Sequence, residues 1–398
     1  MTGPSIKTIE MGAGFDQESA SWDRLRAQLA SVKPPIETCA TLPLTCYSDE
    51  KIFKYELESI FHRSWIGIGR TDQWQAPGHY TAIQVAGVPV IVLRDEAGEL
   101  RAFANTCRHR GTMLLEGQGC TRAIICPFHN WTYGLDGRLH SAPKMQKAKN
   151  FDKDKLGLVP FRLESRDGFA FLCFDEGAPP LGEWLGDFSK LHAPWSLGNL
   201  VSSHRREFEV SCNWKSFLEV FNEYYHLPFV HPNSLNDLYE PPDGADETHA
   251  CYTTQFGATE GTGGLIADKQ DQSFSPIKSL AGRNLEGARY TWVYPNMTFA
   301  ASAESLWMYE AYPIAPDRSR IRFTFCFPAE TVARKDFESR TQHYYDRLSV
   351  GLEEDISMLE RQQRGLSTPY GKQGRFCTEL EPNVANFACW YAQNILTP

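Results

Sequence analysis

The stretch that decides the fold reads CRHRG at residues 107–111 and CPFHNWTY at residues 126–133. Each half supplies one thiolate and one imidazole. Two such loops can hold a [2Fe–2S] cluster in which one iron takes both sulfurs and the other takes both ring nitrogens. The alternatives are a zinc site and chance proximity, but structural zinc motifs usually group Cys with Cys and His with His. The mixed halves therefore favour the iron–sulfur cluster. Its candidate ligands are Cys107, His109, Cys126 and His129.

The chain around these loops is typical of a small antiparallel β domain. Short β-rich runs at Tyr80–Val85, Val88–Leu93 and Phe169–Phe174 alternate with turn-rich segments. Gly and Pro at residues 175–180 indicate a linker, and the remainder reads as α+β. Within that remainder, the polar, glycine-rich residues 233–289 are typical of a lid or mobile loop. We expect an N-terminal extension at residues 1–40, a β domain at 41–178 and a second domain at 179–398.

The composition excludes several classes of protein. The 398 residues carry a net charge of −9, with 42% hydrophobic and 22% charged residues, which is an ordinary globular balance and a poor match to a nucleic-acid backbone. The longest apolar run, Val85–Leu93, is far shorter than the ~20 residues of a membrane span. Residues 1–23 lack the apolar core of a secretory signal, so we expect a cytoplasmic protein with no membrane partner. In a reducing compartment, patterned cysteines among the 11 present are more typical of metal ligands than of disulfides.

A second group of metal-binding side chains follows the linker. Residues Asn213–Tyr225 are a helix candidate, and helical spacing places Glu223 and His226 on one face. Pro228 disfavours helical geometry just before it, so we expect the chain to turn there and bring His231 back beside His226. Two imidazoles with one carboxylate form a facial triad suited to non-haem Fe(II), with positions left open for O2. The alternative is a hydrogen-bonded pair of histidines in the core.

The carboxylate ligand must come from another part of the chain. A long amphipathic helix predicted over Arg334–Leu366 offers Glu353, Glu354 and Asp355. Asp355 falls on the apolar stripe of this helix, whereas Glu353 and Glu354 are expected to turn outward. A carboxylate on an inward face is costly unless it is paired or binds a metal, so we choose Asp355 as the third ligand. The alternative is an ordinary charge on the helix surface.

Both constellations resemble one family, the ring-hydroxylating oxygenase α subunits, which carry a Rieske domain. The stretch NWKSFLEVFNEYYHLPFVH at residues 213–231 is similar to the family's motif Asn-Trp-Lys … Glu-Asn-Phe-x-Asp/Glu-x-Tyr-His-x4-His. Residues 107–139 resemble its Rieske loops, and residues 354–366 resemble its ligand helix. The sequence departs at Val220, where that motif has Asn, and at Asn130, where the family usually has Gly. Asn is the next best tolerated residue if the backbone at that position needs a positive φ.

The resemblance implies an α+β architecture with an N-terminal antiparallel β Rieske [2Fe–2S] domain and a C-terminal helix-grip (START/Bet v1-like) catalytic domain. It also implies that the cluster passes electrons to a mononuclear Fe(II), which activates O2 and inserts oxygen into a substrate. No GxGxxG in a strand–helix frame and no flavin motif is visible in the sequence. We therefore expect a separate NAD(P)H-dependent flavin/iron–sulfur reductase. The alternative class is a pure electron-transfer Rieske protein without oxygenase activity.

Glu223, with its neighbour Asn222, is the candidate catalytic position besides the metal ligands. By resemblance, the Glu223 carboxylate bridges one subunit's cluster histidine to a neighbouring subunit's iron-ligand histidine, within a homotrimer. A carboxylate between two imidazole N–H groups fixes both rings and shortens the electron path. The alternative is a solvated charge on the helix face, paired with Lys215.

The substrate signal comes from aromatic side chains on two candidate strands and one acidic residue between them. Three of the aromatics alternate on one strand and so point one way. Aromatic faces bind quaternary ammonium groups, and a Glu at position 223 resembles the branch with choline, carnitine and glycine betaine monooxygenases. We expect N-demethylation or hydroxylation of a small quaternary or N-methylated amine. The alternatives are an aromatic carboxylate that is ring-hydroxylated or O-demethylated, and a plain aromatic sheet core. The candidate residues are Tyr290, Trp292, Tyr294, Trp307 and Glu304.

Overall fold

Short helices open the part of the chain that the computed structural model describes, which comprises residues 22–246 and 250–396. These helices are α1 over residues 22–29, α2 (Thr45–Ser48) and α3 (Glu50–Glu56), followed by a π-helical turn at Leu57–Phe61. Asp49 begins α3, because its side chain accepts hydrogen bonds from two backbone N–H groups of the first turn. Over half of the predicted N-terminal extension, residues 1–21, lies outside the described chain.

Ten antiparallel strands follow in the N-terminal part. They are β1 (Ile66–Arg70), β2 (His79–Val85), β3 (Val88–Arg94), β4 (Leu100–Ala104), β5 (Gln118–Cys120), β6 (Ile124–Ile125), β7 (Thr132–Tyr133), β8 (Leu139–Ser141), β9 (Pro160–Arg166) and β10 (Phe169–Cys173). One sheet has the order β1-β10-β9-β4-β3-β2-β5, and a second has the order β6-β7-β8. The predicted antiparallel β domain is thereby confirmed. Ala86 and Gly87 join β2 to β3 with φ values of 47° and 81°, the positive φ that a two-residue hairpin needs.

A six-stranded antiparallel sheet forms the C-terminal part. Its strands are β11 (Leu200–Val210), β12 (Tyr252–Ala258), β13 (Gly287–Val293), β14 (Met297–Ala301), β15 (Leu306–Ala315) and β16 (Arg318–Pro328). Their order is β11-β16-β15-β14-β13-β12, so the strands from β12 to β16 pair with their neighbours in sequence. This arrangement, with the helices given next, confirms the predicted α+β class.

The helices of the C-terminal part pack on this sheet and on one another. They are α4 (Leu181–Leu185), α5 (Phe188–His192), α6 (Trp214–Phe221), α7 (Leu227–Val230), α8 (Ala329–Val332), α9 (Phe337–Leu366) and α10 (Pro382–Asn394). α6 packs against β14, β15 and β16, α9 contacts both α6 and α7, and α10 packs on β12. Within the described residues, no helix combines the length and apolar character needed to span a bilayer.

The strand β12 lies inside residues 233–289, which the sequence assigned to a lid or mobile loop. That expectation was wrong here because the polar side chains of the strand are buried and hydrogen-bonded. The Thr253 hydroxyl donates to the Asn383 side chain at 2.9 Å, and the Thr254 hydroxyl lies 2.9 Å from that of Thr291. Such bonds allow polar residues in a buried strand, which hydropathy alone does not reveal. Residues 247–249 of the segment lie outside the described chain.

A buried ion pair joins α3 to α6. The Lys215 ammonium lies 2.6 Å from a carboxylate oxygen of Glu56, and both side chains are fully buried. The Tyr391 hydroxyl donates to the same carboxylate at 2.7 Å, and the Trp214 indole N–H donates to its other oxygen. Lys215 is therefore part of the core. The ion pair of Lys215 with Glu223, which was the alternative interpretation of Glu223, is not formed.

The N-terminal segment packs against the far end of the chain. Ala40 and Arg375 form an isolated antiparallel bridge, and the sulfur atoms of Cys39 and Cys389 lie 3.7 Å apart. The Gln373 side-chain amide donates to the backbone carbonyl of residue 41 at 2.7 Å. The two ends of the described chain are thus held together by contacts that span more than 300 residues.

Candidate metal centres and substrate cavity

The two Cys/His loops have the same backbone geometry. In each loop the Cys N–H donates to the carbonyl five residues further on, at 2.8 Å, for both Cys107 and Cys126. The N–H four residues further on, from Gly111 or Asn130, donates back to the Cys carbonyl at 2.9 and 3.0 Å. These two residues have φ values of 77° and 56°. Asn130 therefore occupies a left-handed position, where Asn is the best tolerated replacement for Gly.

The loops bring two thiols and two imidazoles together. Cys107 and Cys126 are buried free thiols, and the rings of His109 and His129 lie 4.7 Å apart. The His109 ring stacks on Trp131 at 4.9 Å, and its Nδ1 is buried without a hydrogen-bond partner in the described chain. Two sulfurs and two ring nitrogens, one of them this unsatisfied buried Nδ1, fit a Rieske [2Fe–2S] cluster.

Hydrogen bonds to the cysteines favour the thiolate form that a cluster requires. Burial alone would raise the pKa of the Cys126 thiol, but the backbone N–H groups of Phe128 and His129 stabilise the thiolate and lower that pKa overall. The hydroxyl of Tyr133 lies 3.3 Å from the Cys107 sulfur and accepts the backbone N–H of Arg108 at 3.0 Å. Its own proton is thus free to donate to the sulfur, a contact that raises a cluster's reduction potential.

Three side chains of the C-terminal part form a second candidate metal centre. Donor atoms of His226, His231 and Asp355 all lie within 4.8 Å of one another. The Asp355 Oδ1 atom is 2.9 Å from His231 Nε2 and 3.6 Å from His226 Nε2. This oxygen is nevertheless buried without a well-directed hydrogen bond in the described chain. Two nitrogens and a carboxylate that converge without bonding one another fit a mononuclear iron.

Two glutamates orient His226 and His231 through hydrogen bonds to Nδ1, the ring nitrogen that faces away from the centre. The Nδ1–H of His226 donates to Glu223 at 2.6 Å, and the Nδ1–H of His231 donates to Glu354 at 2.7 Å. With Nδ1 protonated and engaged, each Nε2 lone pair is directed at the centre, which is the usual support for a metal-bound histidine. Burial would lower the pKa of His226, but the Glu223 carboxylate outweighs it and raises that pKa.

Glu354 is a supporting residue that the sequence interpretation missed. We expected it to turn outward, but it also accepts the Ser234 hydroxyl at 2.7 Å. The segment after α7 lies over this part of α9 and covers a position that a lone helix would expose. Only Glu353 is exposed as expected. The pair of adjacent acids at 354 and 355 was the signal available in the sequence.

The helix that leads to the histidines is shorter than predicted. α6 ends at Phe221 rather than Tyr225, and the Glu223 carboxylate accepts the backbone N–H groups of residues 225 and 226 in the turn that follows. Pro228 then lies in the first turn of α7, where a helix needs no N–H from it. The turn thus comes before His226 and not directly before Pro228. The two histidine rings still lie 5.1 Å apart.

Asn222, which we grouped with Glu223 as catalytic, has a different environment. It is fully buried, and its side-chain amide donates to the Leu218 carbonyl at 2.7 Å and to the Thr298 hydroxyl at 3.0 Å. It does not line the cavity beside the histidines. The contacts fix the end of α6 on the sheet, so we correct its role to positioning the turn that carries Glu223 and His226.

A cavity of about 70 Å³ adjoins the second centre. Tyr290 and Trp307, two of the predicted substrate-binding residues, line it. One positive charge, Arg347, also lines it and was not predicted. The other rings around the cavity are Phe221, Tyr224, Tyr239 and Tyr309.

Trp292 and Tyr294 do not line this cavity. The Trp292 ring stacks on Phe387 at 3.9 Å, and the Tyr294 ring lies 4.7 Å from Trp390. Alternation along a strand defines a face but not what covers it, and α10 covers this end of the sheet. Both residues are therefore part of the aromatic core, which was the alternative interpretation.

Glu304 is also away from the cavity. It is 2% exposed and accepts hydrogen bonds from the hydroxyls of Thr262 and Tyr344, the latter at 3.1 Å. Burial raises the pKa of its carboxyl to about 7. The predicted charge complementarity from Glu304 is therefore wrong, because the side chain is enclosed by its own hydrogen bonds.

Comparisons with known proteins agree with both centres. Residues 197–397 match the family described as "Ring hydroxylating alpha subunit (catalytic domain)", and residues 64–152 match the Rieske [2Fe-2S] domain. The choline monooxygenase of Spinacia oleracea is 30% identical over 91% of this chain and 80% of its own length. The carnitine monooxygenase oxygenase subunit of Acinetobacter baumannii is 30% identical over 92% and 97%. The crystal structure of the quaternary ammonium Rieske monooxygenase CntA with L-carnitine has a TM-score of 0.76 and 26% identity, and covers 93% of this chain and 98% of that one.

Proposed function

Because this chain belongs to the family of Rieske ring-hydroxylating oxygenase α subunits, we propose that it is a monooxygenase for a small quaternary or N-methylated amine. The chain is an oxidoreductase whose cofactors are a Rieske [2Fe–2S] cluster and a mononuclear iron. It works with O2 and with electrons from a separate reductase. The kind of amine and the identity of the reductase are the proposed parts. The domain boundaries at residues 40/41 and 178/179 are proposed as well.

The observation that carries the proposal is the aromatic cavity beside His226, His231 and Asp355. Rings of Tyr290 and Tyr309 border the same space as the metal-binding side chains. Aromatic faces attract a methylated ammonium by ~0.5–2 kcal/mol each, more as water is excluded. Relatives that act on choline, carnitine and glycine betaine add support, since they cover most of this chain.

The proposed mechanism divides the work between the two centres. Cys107, Cys126 and the two loop histidines would hold the cluster, and His226, His231 and Asp355 would hold the iron. When bound, these groups supply electron transfer and O2 activation. Glu223 and Glu354 keep the Nδ1 protons on the two histidines, and the rings of the cavity hold an N-methyl group near the centre and limit water.

The reaction has a defined balance. One atom of O2 replaces a hydrogen on the N-methyl carbon as hydroxyl, and the other leaves as water with two electrons and two protons from the reductase side. The resulting hemiaminal breaks its C–N bond and releases formaldehyde with the demethylated amine. Formaldehyde is therefore the diagnostic product of N-demethylation.

The family resemblance implies that Glu223 takes part in electron transfer between subunits, and the position of its side chain supports this role. Its side chain is 12% exposed and borders both the cavity and an outer groove along α9. Near the cluster, Met113, Ile125 and Phe128 are unusually exposed apolar side chains, at 46%, 51% and 57%. We propose that this apolar surface docks at the groove of a neighbouring subunit in a homotrimer and places a cluster histidine against Glu223.

A turnover assay tests the proposal. The enzyme, an NADH-dependent reductase and O2 would be incubated with betaines, carnitine, choline and aromatic carboxylates, while formaldehyde and substrate loss are followed together. We expect formaldehyde from a methylated amine. Loss of an aromatic carboxylate instead would replace the proposal with the ring-hydroxylation or O-demethylation alternative. An Asp355→Ala enzyme, which we expect to keep the cluster but lose the mononuclear iron, is the control for product formed without the second centre.

A further inference from the structure

Arg347 is a buried cation in the wall of the substrate cavity. It is 7% exposed, and its guanidinium carbon lies 5.4 Å from the centre of the Trp307 ring and 5.9 Å from that of Tyr239. One terminal nitrogen donates to the Tyr239 hydroxyl. Its Nε is buried and has no hydrogen-bond partner within the described residues. The protein therefore provides hydrogen-bond acceptors for only some of the N–H groups of this guanidinium.

No carboxylate among the described residues forms an ion pair with Arg347. Arg70, which is also buried without an ion pair there, instead donates to three backbone carbonyls. Two other buried cations have a carboxylate partner. Lys215 has Glu56 at 2.6 Å, and Arg322 has Glu207 at 3.2 Å. A buried charge without a counter-ion is costly. A cation of this kind in a cavity wall therefore indicates that its counter-ion arrives with the ligand.

We propose that Arg347 binds a carboxylate of the substrate, so that the amine acted on is a zwitterion with an anionic end. This inference rests on the proposed function, and it narrows the substrate class of the same site. A planar guanidinium matches a carboxylate in a two-point hydrogen-bonded pair, which a hydroxyl cannot form.

The position of Arg347 also determines where the ammonium goes. The guanidinium lies over one face of Trp307, so that face is not available to a substrate cation. The rings of Phe221, Tyr224, Tyr290 and Tyr309 also line the cavity and remain available to it. Arg347 and Asp355 lie eight residues apart on α9, about 12 Å along its axis. The anion anchor and the metal centre are thus separate parts of one cavity, and the N-methyl end points to the metal.

A matched pair of ligands tests the inference on the wild-type holoenzyme. Glycine betaine and choline differ by a carboxylate in place of a hydroxymethyl group, and γ-butyrobetaine and 4-(trimethylammonio)butan-1-ol form a longer pair. Isothermal titration calorimetry would measure each dissociation constant. We expect the better-fitting zwitterion to bind about 10- to 100-fold more tightly than its alcohol, as for a charge-assisted hydrogen bond. If both alcohols bind as tightly as their zwitterions, the inference is overturned.

Substitutions at position 347 assign the preference to this side chain. In R347Q the ratio between zwitterion and alcohol should fall to about one, and R347K should keep part of it. Arg318→Gln, a change of the same chemistry at an exposed hairpin residue, should leave the ratio unchanged. An unaltered ratio in R347Q would refute the assignment. If R347Q does not fold, a structural role is indicated and R347K together with the wild-type ligand pair decides.

The unfolding temperature of the ligand-free protein gives an independent readout. Because Arg347 has no ionic partner in the described protein, R347Q should unfold at the wild-type temperature or above it. A decrease of several degrees would show that Arg347 is needed for packing and would count against the anchor.

The same titrations separate the failure of this inference from the failure of the proposed function. Benzoate-type carboxylates that bind in an Arg347-dependent way, with no binding of any methylated amine, would retain the anchor and refute the amine substrate. Tight binding and turnover of choline, unaffected by R347Q, would retain the amine substrate and refute the anchor.

Discussion

The two metal-binding regions hold their donor side chains by different means. In each cluster loop, backbone hydrogen bonds between groups four and five residues apart fix the cysteine. At the second centre, side-chain carboxylates hold the histidines, and Glu354 lies 123 residues from His231 in the sequence. The first region depends on local chain geometry, whereas the second depends on how α9 packs against α7 and the segment that follows it. Changes at the second centre should therefore leave the first intact.

Asp355→Ala should give the largest effect and separate the two regions completely. It removes one of three donors that lie within 4.8 Å of one another, so we expect the mononuclear iron to be lost. Iron should fall from three to two atoms per chain, while the visible and EPR spectra of the cluster stay unchanged. Glu353→Ala, at the exposed neighbour on the same helix, is the matched control. An unchanged iron content in D355A would show that another residue is the ligand.

Glu223→Gln should have the next largest effect, on electron transfer. Both carboxylate oxygens of Glu223 accept hydrogen bonds, one from His226 Nδ1 and the other from backbone N–H groups. In the glutamine variant, the side-chain NH2 group would face either His226 Nδ1–H or the backbone N–H groups, and two N–H donors cannot form a hydrogen bond with each other. We expect both metal centres to be retained, but transfer from cluster to iron to slow by about 10- to 100-fold. Rapid-mixing reoxidation of the reduced cluster measures this rate. Wild-type rates would exclude the bridging role.

Glu354→Gln should have a smaller effect. Glu354 accepts both His231 and Ser234 through one oxygen, so a Gln carbonyl can replace that oxygen while its amide turns away. We expect mononuclear iron to bind about 10-fold more weakly, near the lower end for such supporting residues. Iron retention during dialysis against a chelator would show the difference. Glu354→Ala should lose more iron than Glu354→Gln; equal loss would mean that the charge matters more than the hydrogen bond.

Asn130→Val should have the smallest effect and is confined to the cluster region. A β-branched residue at a φ of 56° is strained by roughly 1–2 kcal/mol, whereas Asn130→Gly is relaxed there. We expect the valine variant to unfold at lower denaturant concentration with the mononuclear site unaffected. If the glycine variant were equally destabilised, the Asn130 side chain and not the backbone would be responsible.

Features encoded within a short stretch could be predicted from the sequence. The Cys/His loops and the two histidines around Pro228 lie within segments of fewer than 30 residues, and their spacing reports their geometry. The apolar stripe of α9 was sufficient to choose Asp355, which the structure brings to the histidines.

Features that depend on what covers a surface could not be predicted in this way. Glu354 is covered by the segment after α7, and Trp292 and Tyr294 are covered by α10, although nothing local to these residues specifies either contact. Arg347 left a weak signal, since it lies on the buried side of α9 next to Leu348. A cation on the apolar stripe of a helix is costly to bury, as a carboxylate is, and it should likewise be examined for a partner that it binds.

The contact between the two ends of the chain has a consequence for biosynthesis. Thr41 receives its hydrogen bond from Gln373, a residue synthesised 332 positions later. At ~5–20 residues per second, the ribosome takes about 15–70 s to make that partner. During this interval α1, whose Gln28 carbonyl also accepts from the Gln373 side chain and whose Leu25 and Leu29 are buried in the finished protein, lacks this contact. The hydrogen bonds of Gln28 and Thr41 with Gln373 thus form only after residue 373 has been made, and a nascent chain that stalls before it leaves this N-terminal segment without them.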